Sequence, residues 1–215
     1  MSAGNPDVRD LHTEVLSDDW YTLRKVSFDF RGRDGAWTRQ SRETYDRGNG
    51  ATILLYDPAR GTVLLTRQFR MPAYVNGHPD GMLIEAPAGL LDGDDPEAAI
   101  RRETAEETGV EVGEVERLFE MFMSPGSVTE RVTFFAAPYS AASRTTDVAG
   151  VEAEGERIDL LEPTLVEALA MVDCGEIVDG KTVMLLQWAD RAGVLAARPA
   201  ASARPAVPSP SSAPC

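Results

Sequence analysis

Apolar residues recur at every second position through residues 21–30, where Val26, Phe28 and Phe30 alternate with polar neighbours. That period marks a half-buried strand. Arg31-Gly32-Arg33-Asp34-Gly35 and then residues 36–43 follow, so the pattern predicts an antiparallel hairpin. Residues 50–56 and 62–69 are more continuously apolar and flank the turn signal Asp57-Pro58-Ala59-Arg60-Gly61, which predicts a second hairpin with both strands largely buried. The period then changes. Asp95 can cap a helix, Pro96 suits its first position, Glu97 favours the positive end and Gly109 can take a left-handed stop, so residues 96–108 are predicted as a helix. Further strands are expected over residues 118–123 and 131–136 and at Ile158-Asp159-Leu160-Leu161, with helices over residues 164–172 and 180–192, the last carrying Val183, Leu185, Leu186 and Trp188. Strands mixed with flanking helices imply an α/β (α+β) sandwich preceded by a small hairpin unit.

Three segments are expected: an N-terminal β-hairpin subdomain (residues 1–46), a main domain (residues 47–195) and a tail (residues 196–215). The tail is rich in Pro, Ala and Ser and nearly lacks large apolar side chains, so burial cannot offset its ordering entropy and disorder is predicted. The 215 residues, 43% of them hydrophobic, suffice for a substantial core. A formal charge of -14, from 35 acidic against 21 basic residues, argues against a sequence-independent hold on nucleic acid. A phosphate-bearing substrate would therefore need local cations, either a metal or well-placed Arg and Lys. Cys174 and Cys215, far apart, suggest no disulfide framework and a reducing, cytoplasmic setting. Neither an export leader nor a membrane-spanning apolar run is expected.

Glu103, Glu106 and Glu107 stand at i, i+3 and i+4, which places three carboxylates on one helical face. Such a face is either solvated or neutralised by a cation, and for a generic glutamate cluster solvation is the commoner case. Here Ala98, Ala99 and Ala105 offer a small-residue side for close approach to a sheet, and residues 85–95 read as a turn-rich loop exposing backbone carbonyls. Hard oxygens of this kind select Mg²⁺ or Mn²⁺, whereas zinc would want His and Cys, and the chain has only His12 and His78. A calcium-hand loop is broken by Pro96.

Gly89, Arg102-Glu103, Glu106-Glu107 and Gly109-Val110 together closely resemble the Nudix box, G-x5-E-x7-R-E-U-x-E-E-x-G-U with U aliphatic. Two departures stand out: Asp94 takes the acid position one residue early, and Thr104 replaces the usual aliphatic residue. Residues 45–56, Arg67-Gln68-Phe69-Arg70, Val75-Asn76-Gly77, Met123-Ser124-Pro125-Gly126 and Asp179-Gly180-Lys181-Thr182 extend the likeness to the GDP-mannose hydrolase branch of the nucleoside-diphosphate-sugar Nudix enzymes, over about residues 15–193. The resemblance implies a Nudix α/β/α sandwich with a mixed sheet.

It further implies hydrolysis of GDP-mannose to GMP and mannose 1-phosphate. Metal ligation falls to Glu103 and Glu107, with Glu106 assisting, and to the backbone carbonyl of Ala88; Arg102 anchors the helix by a salt bridge. A late-loop glutamate, Glu152, Glu154 or Glu156 with Glu156 favoured, ligates metal and orients or deprotonates water. Arg70, Glu130 and Lys181 match ligand-contacting positions, as do Trp20, Arg42 and Glu43 near the hairpin. Trp20, Trp37 and Trp188 taken singly read as packing residues. Relatives dimerise by exchanging the hairpin, so Trp20 would serve a neighbouring subunit's site. Two other readings stay open: an ADP-ribose or ADP-sugar pyrophosphatase releasing AMP, and a non-catalytic nucleotide sensor.

Overall fold

The computed structural model describes residues 4–140, 143 and 157–195. Its strands form two sheets. The first is three-stranded and antiparallel in the order β1 (Val8–Asp18), β2 (Thr22–Arg31), β3 (Trp37–Asp46). The expected hairpin is β2 and β3, paired from Thr22↔Asp46 to Arg31↔Trp37. β1 is an addition that no alternation announces. Its Leu11, Val15 and Leu16 are 65%, 56% and 43% exposed, and Asp10 at φ 54° interrupts its register between Arg9 and His12.

The second sheet is mixed, in the order β10 (Asp159–Leu161), β5 (Thr62–Phe69), β4 (Gly50–Asp57), β9 (Arg131–Pro138), β8 (Glu116–Phe122). β6 (Met82–Glu85) pairs with β5 and β7 (Ala88–Leu90) with β4. Among the described strands, only β4 and β9 run parallel. The predicted turn-rich loop over residues 85–95 is thus corrected at its start, where backbone groups of Glu85 and of Ala88 to Leu90 enter sheet ladders. Runs this short carry no detectable period, which is why sequence alone reads them as loop.

β4 shows why the sheet is covered on both faces. Leu54 belongs to one apolar cluster, with Val63, Leu65 and Phe134 of the sheet, Ala168 of α3 (Leu165–Asp173) and Leu185, Leu186 and Ala189 of α4 (Gly180–Ala192). Ile53 and Leu55 point the other way and meet Ile100 of α2 (Pro96–Thr108) together with Leu64 and Phe135. Opposite-facing neighbours along a strand require a layer on each side, and the result is the expected α/β/α sandwich. Burying each Val, Leu, Ile or Phe side chain among these contributes roughly 1.5–3 kcal/mol.

α2 begins and ends where its signals place it. The Asp95 carboxylate accepts from the N–H groups of Glu97 and Ala98, and Gly109 closes the helix at φ 68°. Its buried side is not the expected small-residue stripe, for Ala98 is exposed and the buried residues are Ala99, Ile100, Thr104, Glu107 and Thr108. Thr104 is tolerated inside because its hydroxyl donates to the Ile100 carbonyl at 2.6 Å, leaving its methyl to pack. A short helix not foreseen, α1 (Met71–Val75), follows β5. Among the described residues, no helix is long and apolar enough to cross a membrane.

The two sheets meet at the end of β3. Tyr45 N–H donates to Ser127 O at 2.7 Å, Thr129 N–H donates back to Tyr45 O, and the Asp46 carboxylate receives Arg24 Nη1 at 2.6 Å and the Thr129 hydroxyl. The predicted tail lies outside the described residues.

Candidate active site

A cavity of about 680 Å³ opens where the N-terminal ends of β4 and β7 face α2 and the first turn of α4. α2 directs Glu103 and Glu107, one turn apart, into it. Glu107 is 5% exposed, and its Oε2 accepts the Ala88 N–H at 3.2 Å. Glu103 lies directly over Gly89, so tightly that a Cβ there would overlap its carboxyl group. Glycine at that position is therefore required by close approach rather than by backbone twist. Glu106 is exposed and does not line the cavity, so the three carboxylates predicted for one face divide into two inside and one outside it. The reason is angular: four residues along a helix return to within about 40°, three to within about 60° on the other side.

Arg102 reaches Asp94 at 3.7 Å and Glu103 at 3.4 Å. The early acid thus braces the start of α2 while the neighbouring Asp95 caps it, which accommodates the shortened loop.

Facing the glutamates is a pair of cations. Arg70, at the end of β5, donates from Nε to Glu85 Oε2 at 2.6 Å. Lys181, in the first turn of α4, donates to Glu85 Oε1 at 3.3 Å and to Asp179 at 2.7 Å. Burial works against both charges, yet both groups are held above their ordinary values. For Arg70 the nearby carboxylate of Glu85 outweighs burial, with help from Glu107 and Asp179; for Lys181 it is Asp179 and then Glu85. Both stay charged at neutral pH, so two cations face Glu103 and Glu107 in the cavity.

Glu130, just before β9, Tyr21 and Trp20 complete the wall. Glu130 pairs with Arg47 at 3.4 Å, and Arg47 lies 5.7 Å from the Tyr21 ring. Trp20 is 83% exposed, so it is not a packing residue of its own chain. Arg42 and Glu43 are exposed on β3 and do not line the cavity; Arg42 donates to Ser41 O and Gln40 Oε1 instead. Glu152, Glu154 and Glu156 lie outside the described residues. Glu85, Arg47 and Tyr21 are wall residues that sequence reasoning missed. A signal existed for Glu85, a lone charge ending the apolar run Met82-Leu83-Ile84.

The donor set fits a divalent cation. Two carboxylates converge on a glycine-floored cradle, and hard oxygen is the chemistry Mg²⁺ and Mn²⁺ prefer. Among the described residues no three His, Cys, Asp or Glu side chains are already gathered as a closed metal cluster. Backbone oxygen or water would have to complete the coordination, as is usual for a catalytic Mg²⁺.

An α/β/α sandwich with paired helical glutamates, a glycine strand opposite them and facing cations defines a class of phosphoanhydride hydrolase. Residues 46–182 match the NUDIX domain, and the chain belongs to the Nudix family, whose pyrophosphohydrolases generally use divalent metal ions. Residues 7–45 match a family described as the GDP-mannose pyrophosphatase NudK N-terminal domain. The chain is 55% identical over 188 residues to a GDP-mannose pyrophosphatase of Yersinia enterocolitica, covering 87% of this chain and 97% of that one. It is 55% identical over 182 residues to one of Klebsiella pneumoniae (85% and 91% covered) and 56% identical over 182 residues to one of Yersinia pestis (85% and 91% covered).

Proposed function

We propose that the protein hydrolyses the pyrophosphate bond of GDP-mannose, releasing GMP and mannose 1-phosphate, with Mg²⁺ as its ion and Mn²⁺ as a substitute. The observation that carries this reading is one cavity that sets Glu103 and Glu107 against Arg70 and Lys181, in a chain so similar to GDP-mannose pyrophosphatases.

Glu103, Glu107 and the Ala88 carbonyl would hold the metal, with Glu106, exposed on the same helix, assisting. Bound there, a divalent ion supplies charge neutralisation at the phosphate oxygens and acidifies a coordinated water. The chain's own residues do the rest. Arg70 and Lys181 grip the diphosphate from the opposite wall; the Arg70 plane offers two Nη groups because Nε is already given to Glu85. Glu156 takes the proton of the attacking water. In its favour, it adjoins Arg157, which shares with Arg70 a neighbouring cavity of about 440 Å³. Arg42 and Glu43 would serve the site of a second subunit in a homodimer that exchanges the N-terminal hairpin; their exposure on β3 and their absence from their own chain's cavity support that arrangement. Trp20, between β1 and β2, lines its own chain's cavity and would act there. The reducing cytoplasm suits the exposed thiol of Cys174.

Incubation with GDP-mannose and, separately, ADP-ribose in the presence of Mg²⁺, followed by chromatography of the nucleotides, tests the reading. GMP is expected from the first at a far higher rate. Release of AMP alone would shift the assignment to ADP-sugar substrates, and release of neither would remove hydrolysis.

A further inference from the structure

Glu85 stands at the end of β6 with a side chain only 5% exposed, in the wall of the catalytic cavity. Each of its oxygens is used: Oε2 receives Arg70 Nε at 2.6 Å and Oε1 receives Lys181 Nζ at 3.3 Å. We propose that Glu85 is a positioning residue for the diphosphate, setting the separation and orientation of the two cations that grip it. The inference rests on the proposed function and deepens it.

The two cations come from distant parts of the chain, one from the end of β5 and one from the start of α4. Without a shared anion they would repel across the cavity. One carboxylate between them removes that repulsion and fixes their spacing by its own bond lengths. It also fixes a plane. Holding the guanidinium by Nε fixes that edge of its plane on Glu85 and leaves the N–H groups of its far edge for an acceptor in the cavity shared with Glu107.

Lys181 is held from a second side. Asp179 caps α4 by accepting the Thr182 N–H at 2.9 Å, receives the Lys181 ammonium at 2.7 Å and accepts the Thr182 hydroxyl at 2.8 Å. The same Thr182 oxygen accepts the Ala86 N–H, which ties the helix start to the residue after Glu85. The ammonium therefore has two fixed anchors and one remaining direction. Stability alone explains the arrangement poorly, because buried ion pairs can usually be replaced by apolar side chains at no loss. A site that must present two ordered cations to a dianionic linkage cannot make that exchange.

The test is a double-mutant cycle on the full chain with GDP-mannose and Mg²⁺. Glu85→Gln keeps the shape and removes the charge; misorientation of about 1 Å is expected to lower kcat/KM roughly 100-fold, chiefly through KM. In an Arg70→Ala background the same change should cost less than about threefold, since Arg70 is gone and Asp179 still anchors Lys181. Equal losses in both backgrounds would overturn the proposal. Should Glu85→Gln fail to fold, Glu85→Asp keeps the charge and withdraws the carboxylate by one methylene; KM is expected to rise about tenfold at a near-native melting temperature, and an unchanged KM rejects the idea. Calorimetric binding of inorganic pyrophosphate to the same variants reads the cation pair without turnover. If the wild type binds pyrophosphate and Glu85→Asp weakens it about tenfold, the positioning role stands even where GDP-mannose is not cleaved; equal binding by both rejects it.

Discussion

At the residue scale, the site depends on a few contacts that leave no room for substitution. Gly89 carries no side chain because the Glu103 carboxyl group occupies that volume. Gly89→Ala is expected to displace Glu103 and cut turnover at least tenfold while the melting temperature stays nearly constant; wild-type rates in that variant would show that Glu103 need not sit where it does. Glu107→Gln removes a nearly inaccessible carboxylate facing the cavity and should lower kcat about 100-fold or more in steady-state assays. Thr104 is the opposite case. Its hydroxyl is satisfied within its own helix, so Thr104→Val, which restores the aliphatic residue of the Nudix pattern, should alter unfolding free energy by less than about 1 kcal/mol and leave activity intact.

At the scale of elements, helix boundaries were the most legible feature. α2 runs over the residues that its capping signals predict, because Asp95 and Gly109 act through local backbone hydrogen bonds that need no tertiary partner, and α4 covers its expected residues 180–192 with Asp179 and Gly193 at its ends. α3 adds a reciprocal capping box between Thr164 and Glu167. Thr164→Ala should destabilise the protein by about 1 kcal/mol in a denaturant titration; no change would mean that packing of Leu165 and Ala168 alone holds that end. The strands β1, β6 and β7 were illegible for a different reason. Each is a strand through its partner's backbone, and nothing in its own side-chain alternation records that partner.

At the scale of the molecule, the junction between the two sheets predicts an acid response. The Asp46 carboxyl is held below its ordinary value by the Arg24 guanidinium and the Gly48 N–H, which outweigh the opposing effect of burial. Since the folded value lies below the unfolded one, its stabilisation is complete above the ordinary carboxylate range and is lost as pH falls through the lowered value. Wild type and Arg24→Ala should therefore differ in thermal stability at neutral pH and converge in strong acid, as calorimetry across pH would read. The effect is small, because both side chains are about a third exposed to water.

Local chemistry written along the chain determined the helices, the buried central hairpin, the Nudix box and the need for cations on an acidic protein. Such features depend on neighbours a few residues away, where spacing is itself geometry. Only the tertiary structure decided that Glu106 stays outside the cavity while Glu107 turns inward, that Ala98 faces solvent, and that Trp20 lines the cavity while Arg42 and Glu43 do not. It alone joined Arg70, Glu85 and Lys181. Their contacts span separations over which sequence carries no distance, and a carboxylate between two cations becomes visible only when sheet and helix close around it.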